Sequence, residues 1–221
     1  MNYLPHIEVE TSQNPDASVI WLHGLGADGH DFEPIVPELR LPKSAAVRFI
    51  FPHAPSIPVT INGGYVMPAW YDILEMSISR KVDYEQLLKS SELINQFVER
   101  EIERGISSNR IILAGFSQGG AVAIQCALTA PVQLGGLLAM STYFATEEII
   151  QLNDINKNIP IEIHHGTADP VVPVQLGEHC HSALTTQGYQ TDFKTFPMEH
   201  SVCQPQIEII SGWLQKVLNL G

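Results

Sequence analysis

Cysteine, basic side chains and long apolar runs are all scarce in this sequence, and each shortage removes a class of protein. The 221 residues contain three cysteines, Cys126, Cys180 and Cys203. An odd number, thinly spread, cannot build a disulfide framework and fits a reducing compartment. Lysine and arginine together number 12 against 24 aspartates and glutamates, for a formal net charge of -12. That balance argues against nucleic acid as a partner and against a basic patch for an anionic membrane surface. No apolar run approaches the roughly 18 residues needed to cross a bilayer, so no stable membrane insertion is expected. Residues 1–10 carry Pro5, His6 and two acids in place of the basic start and apolar stretch of a secretion signal. A cytoplasmic location is the expectation.

What is present is apolar enough to fold, with 44% of residues hydrophobic. No repeat, low-complexity tract or charge run marks a boundary, so residues 1–221 are expected to form a single domain. Short apolar runs at 19–22, 47–51, 110–114, 135–140, 161–164 and 191–196 read as strands. Helical periods lie at 84–104, 119–129, 175–187 and 204–218. This alternation predicts an α/β fold, a mostly parallel central sheet with helices on both faces. In the first helix Leu87, Leu88, Ser91, Ile94 and Val98 recur at steps of three and four, predicting one apolar stripe. Residues 54–79 break the scheme with three prolines, the Gly63-Gly64 pair, Tyr65, Trp70 and Tyr71. Such a stretch is either a functional loop beside a binding site or a structured excursion packed on the body.

The richest segment is 110–129, where an aliphatic run leads into Gly115-Phe116-Ser117-Gln118-Gly119 and a small-residue helix pattern follows. A G-x-S-x-G sequence between strand and helix is a nucleophile elbow: the serine sits on a tight, strained turn and projects its hydroxyl out of the sheet. Gly115 and Gly119 allow neighbouring backbone to approach where a Cβ would clash. The helix start supplies free N–H groups and a partial positive charge near a developing oxyanion.

A serine hydroxyl needs a histidine to take its proton, and that histidine needs an acid to fix its tautomer. When an elbow carries the serine, acid and histidine follow in that order along the chain. Asp169 lies on the loop leaving the strand at 161–164, at the end of a strand where open α/β sheets place their sites. Three histidines follow it. His179 and His181 fall inside the helix at 175–187, whereas His200 follows the strand at 191–196. Elimination leaves His200 as the base. The neighbouring His164, His165 and Cys180 show no spacing of metal ligands, and no metal is expected.

The run Trp21-Leu22-His23-Gly24-Leu25-Gly26-Ala27-Asp28-Gly29 follows the early strand. It has neither the G-x-G-x-x-G spacing nor the lysine of a phosphate loop. Its glycines instead allow backbone N–H groups to turn toward the serine. The N–H of Leu25 and that of Gln118 are the expected oxyanion donors.

Five motifs stand in one order along the chain. They are His23-Gly24-Leu25-Gly26-Ala27-Asp28-Gly29, Ala69-Trp70-Tyr71-Asp72, Gly115-Phe116-Ser117-Gln118-Gly119-Gly120, His165-Gly166-Thr167-Ala168-Asp169-Pro170-Val171-Val172-Pro173 and Glu199-His200. Together they resemble the phospholipase/carboxylesterase family that includes the acyl-protein thioesterases. The resemblance spans residues 17–218. It implies a single-domain α/β-hydrolase fold without a large cap domain, no cofactor, and a triad of Ser117, Asp169 and His200. It also implies an oxyanion hole from the backbone of Leu25 and Gln118, and it allows a homodimer. Members often carry glycine shortly before the catalytic histidine, where this chain has Pro197-Met198-Glu199.

The expected activity is hydrolysis of carboxylic esters or thioesters with short-to-medium acyl chains through an acyl-enzyme. Depalmitoylation of proteins or lysophospholipid hydrolysis is the alternative that the resemblance allows. A non-enzymatic binding protein that keeps the fold is the reading from another class. Leu25, Met67, Trp70 and Ile73, with their apolar neighbours in 54–79, form either an acyl groove or simply core.

Overall fold

Strands made of uninterrupted apolar residues are satisfied only between two covered faces, and that requirement shapes this chain. The computed structural model describes residues 3–75 and 80–221. The last four residues of the irregular 54–79 stretch, 76–79, lie outside the described residues. In chain order the strands are β1 (His6–Glu10), β2 (Ala17–Leu22), β3 (Val47–Pro52), β4 (Ser56–Val59), β5 (Tyr65–Pro68), β6 (Ile73–Glu75), β7 (Lys81–Val82), β8 (Ile111–Phe116), β9 (Gly136–Met140), β10 (Ile161–Gly166) and β11 (Thr191–Phe196). The helices are α1 (Ile35–Glu38), α2 (Tyr84–Glu103), α3 (Gln118–Thr129), α4 (Val174–Thr186) and α5 (Gln204–Leu218).

Seven strands form one sheet in the order β1-β3-β2-β8-β9-β10-β11. All neighbours are parallel except β1, which runs antiparallel to β3. Strands β2, β3, β8, β9 and β10 are buried at every residue, as their sequences predict. Alternate side chains enter two cores. Ile20, Leu22, Ile111 and Leu113 join the core under α2, α3 and α4. Val19, Trp21, Ile112 and Ala114 join the core under α1 and α5. The six expected strands and four expected helices are present with ends shifted by a residue or two. Strand β1, the short strands β4 to β7 and the one-turn α1 are additions; in β1 the half-exposed His-Ile-Glu-Val-Glu has only two apolar residues and does not stand out.

Two local findings refine the sequence reading. In α2 the buried stripe runs through Leu87, Ser90, Ser91, Ile94, Phe97, Val98 and Glu101, while Leu88 faces solvent at 38% exposure. A helix advances about 100° per residue, so Leu88 rotates off the face that Leu87 holds. The described part of 54–79 is structured. Strands β4 and β5 pair antiparallel around Gly63 and Gly64, β6 pairs with β7, and Trp70 and Tyr71 between them are buried in the core.

The chain order creates the site's location. After β2 the chain steps outward to β3, then returns across the sheet to β8 on the other side of β2. Ligand crevices in open α/β sheets form at such a reversal, beyond the carboxyl ends of the strands.

Candidate active site

At the end of β8 a single residue, Ser117, makes the turn into α3. Its backbone lies at φ 54° and ψ -120°, a region costly for a side-chain-bearing residue. Fixed partners hold it there. The Ser117 N–H donates to the Met140 carbonyl at 2.8 Å, and its own carbonyl accepts from Thr142 Oγ1 at 2.6 Å. The flanking glycines are demanded by proximity. A Cβ at Gly115 would stand 2.4 Å from the Gly119 oxygen, and one at Gly119 would stand 2.5 Å from the His23 oxygen.

Asp169 is presented by the loop after β10. Its Oδ1 accepts the N–H groups of Val171 and Val172, each at 2.8 Å. Burial alone would raise its pKa, but the hydrogen bonds from His200, Val172 and Val171 outweigh that and hold the carboxyl below its usual value. His200 follows β11. Its Nδ1 lies 2.6 Å from Asp169 Oδ2, and its Nε2 lies 2.9 Å from Ser117 Oγ. The Phe116 ring sits 4.7 Å from the imidazole and limits its movement. The turn carrying Pro197-Met198-Glu199 packs against β10 at Gly166, where a Cβ would meet the Met198 oxygen at 2.4 Å. His179 and His181 are elsewhere, on α4, beside Glu147 and Thr191 respectively.

The loop after β2 lies across from the serine. Its shape is set by the Gly26 N–H donating to the Pro68 carbonyl at 2.8 Å. The N–H groups of Leu25 and Gln118 donate to no acceptor among the described residues. Gln118 does more than offer an amide. Its side-chain Oε1 accepts the Trp70 N–H at 2.8 Å and its Nε2 donates to the Tyr71 carbonyl at 2.6 Å. That pair of bonds ties the 69–72 segment to the start of α3, a contact no local sequence signal announces.

The model of the phospholipase/carboxylesterase family matches residues 4–218. The chain belongs to that family. It is 37% identical over 225 residues to the acyl-protein thioesterase 1 of Neurospora crassa, covering 97% of this chain and 92% of that protein. The crystal structure of Arabidopsis thaliana SOBER1 superposes with a TM-score of 0.87 at 30% identity, covering 91% of this chain and 99% of that one. That of Zea mays acyl-protein thioesterase 2 gives 0.84 at 25% identity, covering 98% and 100%.

As a member of this family the protein is a hydrolase. A cavity of about 420 Å³ is lined by Ser117 and His200, with Leu25, Ile61, Ile73, Phe116 and Val171 supplying apolar wall. Asp31, Asn62, Arg80 and Tyr143 add polar groups. Of the residues read from sequence as a groove, Leu25 and Ile73 line it, while Met67 and Trp70 do not. Trp70 is core, 1% exposed, its indole N–H donating to the His23 carbonyl at 2.8 Å. Arg80 and Tyr143 reach the cavity from distant parts of the chain, so spacing could not reveal them. Among the described residues no cluster of three or more His, Cys, Asp or Glu is arranged to hold a metal, and no helix is long and apolar enough to cross a membrane.

Proposed function

We propose that the protein hydrolyses acyl esters and thioesters of short-to-medium chain length, with Ser117 as nucleophile, His200 as base and Asp169 as the orienting acid. One observation carries the reading: a continuous line of hydrogen bonds, 2.6 Å from Asp169 to His200 and 2.9 Å from His200 to Ser117. In the first half-reaction the Ser117 oxygen attacks the acyl carbonyl while His200 takes its proton. The N–H groups of Leu25 and Gln118 stabilise the tetrahedral oxygen. The C–O or C–S bond then breaks, and the leaving alcohol or thiol receives that proton from His200. Water repeats the sequence on the acyl-enzyme and releases the acid.

The apolar wall of Leu25, Ile61 and Ile73 supports an acyl chain lying in the cavity. Each methylene buried there contributes about 0.8 kcal/mol, so rate depends on chain length until the cavity is full. Deacylation of proteins is a second reading, favoured by the name carried by the Neurospora crassa relative. A panel of matched oxygen esters and thioesters of increasing acyl length, with Ser117→Ala as control, tests both. A fluorophosphonate should label the wild type and not Ser117→Ala, and hydrolysis by that variant should be lost. Rates indifferent to acyl length would remove the cavity as the acyl site, and an active Ser117→Ala would remove the nucleophile.

A further inference from the structure

His165 lies beside the three residues without belonging to their chain of hydrogen bonds. It is fully buried on β10. Its Nε2 is 2.7 Å from the Val172 carbonyl oxygen and 3.7 Å from Asp169 Oδ2. A carbonyl only accepts, so Nε2 carries the hydrogen and Nδ1 is bare. That Nδ1 has no partner among the described residues and turns toward α4, where a Cβ at Gly177 would stand 2.3 Å from it. Glycine at 177 is what lets α4 cross the ring.

A bare nitrogen sealed under a helix cannot take a proton without leaving a buried N–H unsatisfied. Burial accordingly depresses the His165 pKa, with the Val172 bond and the Asp169 charge offsetting it only in part. The charged and titratable groups acting on the ring are Asp169, His200 and Glu178. The ring therefore stays neutral beside a carboxylate.

The contacts close a circuit. Val172, gripped at its carbonyl by His165, uses its N–H to hold Asp169 Oδ1 at 2.8 Å, and this turns Oδ2 toward His200 at 2.6 Å. We propose that His165 is a positioning residue for hydrolysis, a neutral clamp that aims the Asp169 carboxylate at His200 without neutralising it. This rests on the reading of Ser117, Asp169 and His200 as the reacting chain. A lysine or arginine could also grip the carbonyl, but its charge would compete for the carboxylate just when His200 becomes an imidazolium. A neutral imidazole fixes the loop and leaves that charge for His200.

The test uses p-nitrophenyl butyrate with three variants, each checked for folding by its unfolding curve. His165→Phe keeps a ring and removes the donor, and its kcat is expected to fall roughly 10- to 100-fold with KM unchanged. His165→Gln keeps an N–H donor and should recover most of that loss. Gly177→Ala leaves every polar group in place but pushes on the ring, and should lower kcat in the same way. Wild-type kcat in a folded His165→Phe overturns the proposal, as does a His165→Gln no faster than His165→Phe. Should His165→Phe fail to fold, Gly177→Ala decides alone, and wild-type kcat there overturns the clamp. Fluorophosphonate labelling that persists in Ser117→Ala removes the underlying reading and the clamp together. Labelling lost in Ser117→Ala, beside an unimpaired His165→Phe, removes only the clamp.

Discussion

At Asp169 each carboxylate oxygen has a different task. Oδ1 is occupied by two backbone N–H groups, and Oδ2 faces the His200 ring. Replacing the acid by its amide keeps the shape and changes the polarity of the contact. In Asp169→Asn the side chain can present a donor to His200, which favours the tautomer whose Nε2 already carries a hydrogen and cannot accept from Ser117. A kcat about 10⁴-fold below wild type is expected, with secondary structure by circular dichroism retained. A loss under about tenfold in a folded variant would count against the role given to Asp169. At this scale Ser117 is legible from its elbow motif, Asp169 from its place at a strand end, and His200 by elimination among the histidines that follow Asp169. The lining residues Arg80, Tyr143 and Ile61 carry no such signature, because a cavity wall needs only volume and polarity at one point in space.

Among the elements, α2 shows how a long helix serves more than burial of an apolar face. Its Glu101 is completely buried, though charged residues at such positions need partners. Four converge on it: Ser18 Oγ at 2.5 Å and Arg48 at 2.6 Å on Oε2, with Arg104 at 3.1 Å and Arg100 at 3.3 Å on Oε1. The cluster joins α2 to β2 and β3 and, through Glu8 and Glu10, to the antiparallel edge strand β1. Glu101→Gln keeps the volume but leaves buried guanidinium charge unbalanced. A destabilisation of about 3–5 kcal/mol is expected from chemical denaturation, with little effect on kcat because the cluster touches neither Ser117 nor the cavity. A stability change within about 0.5 kcal/mol would show that the arginines find other partners. Periodicity found this helix, yet its stripe included Leu88 and left out Glu101, since a stripe read from apolar residues cannot show a buried acid.

For the whole molecule, acid stability is governed first by two buried histidines. His23 accepts the Ala54 N–H at 3.0 Å and His165 donates to Val172, and burial holds both pKa values below the ordinary 6.5. Below that pH the unfolded chain binds protons that the folded chain refuses, so stability falls as pH falls. Two such groups give a slope of at most about 2.7 kcal/mol per pH unit. Thermal unfolding at pH 7.5 and 5.5 should show a lower midpoint at the acid value, well above the range in which the depressed Asp169 and Glu162 carboxyls take up protons. An equal or higher midpoint at pH 5.5 would contradict it. The sequence alone determined the parallel sheet, the helices on both faces and the three residues at strand ends, because period, apolar continuity and strained turns are properties of neighbouring residues. The tertiary structure alone decided the rest: the edge strand β1, the burial of Glu101 among arginines, the clamp of Gln118 on Trp70 and Tyr71, and the place of His165 beneath Asp169. Most of those contacts join residues far apart in the chain, and even the short span from His165 to Val172 closes only where the loop folds back on its strand. Their strength depends on distance and on exclusion of water, and only packing sets either one.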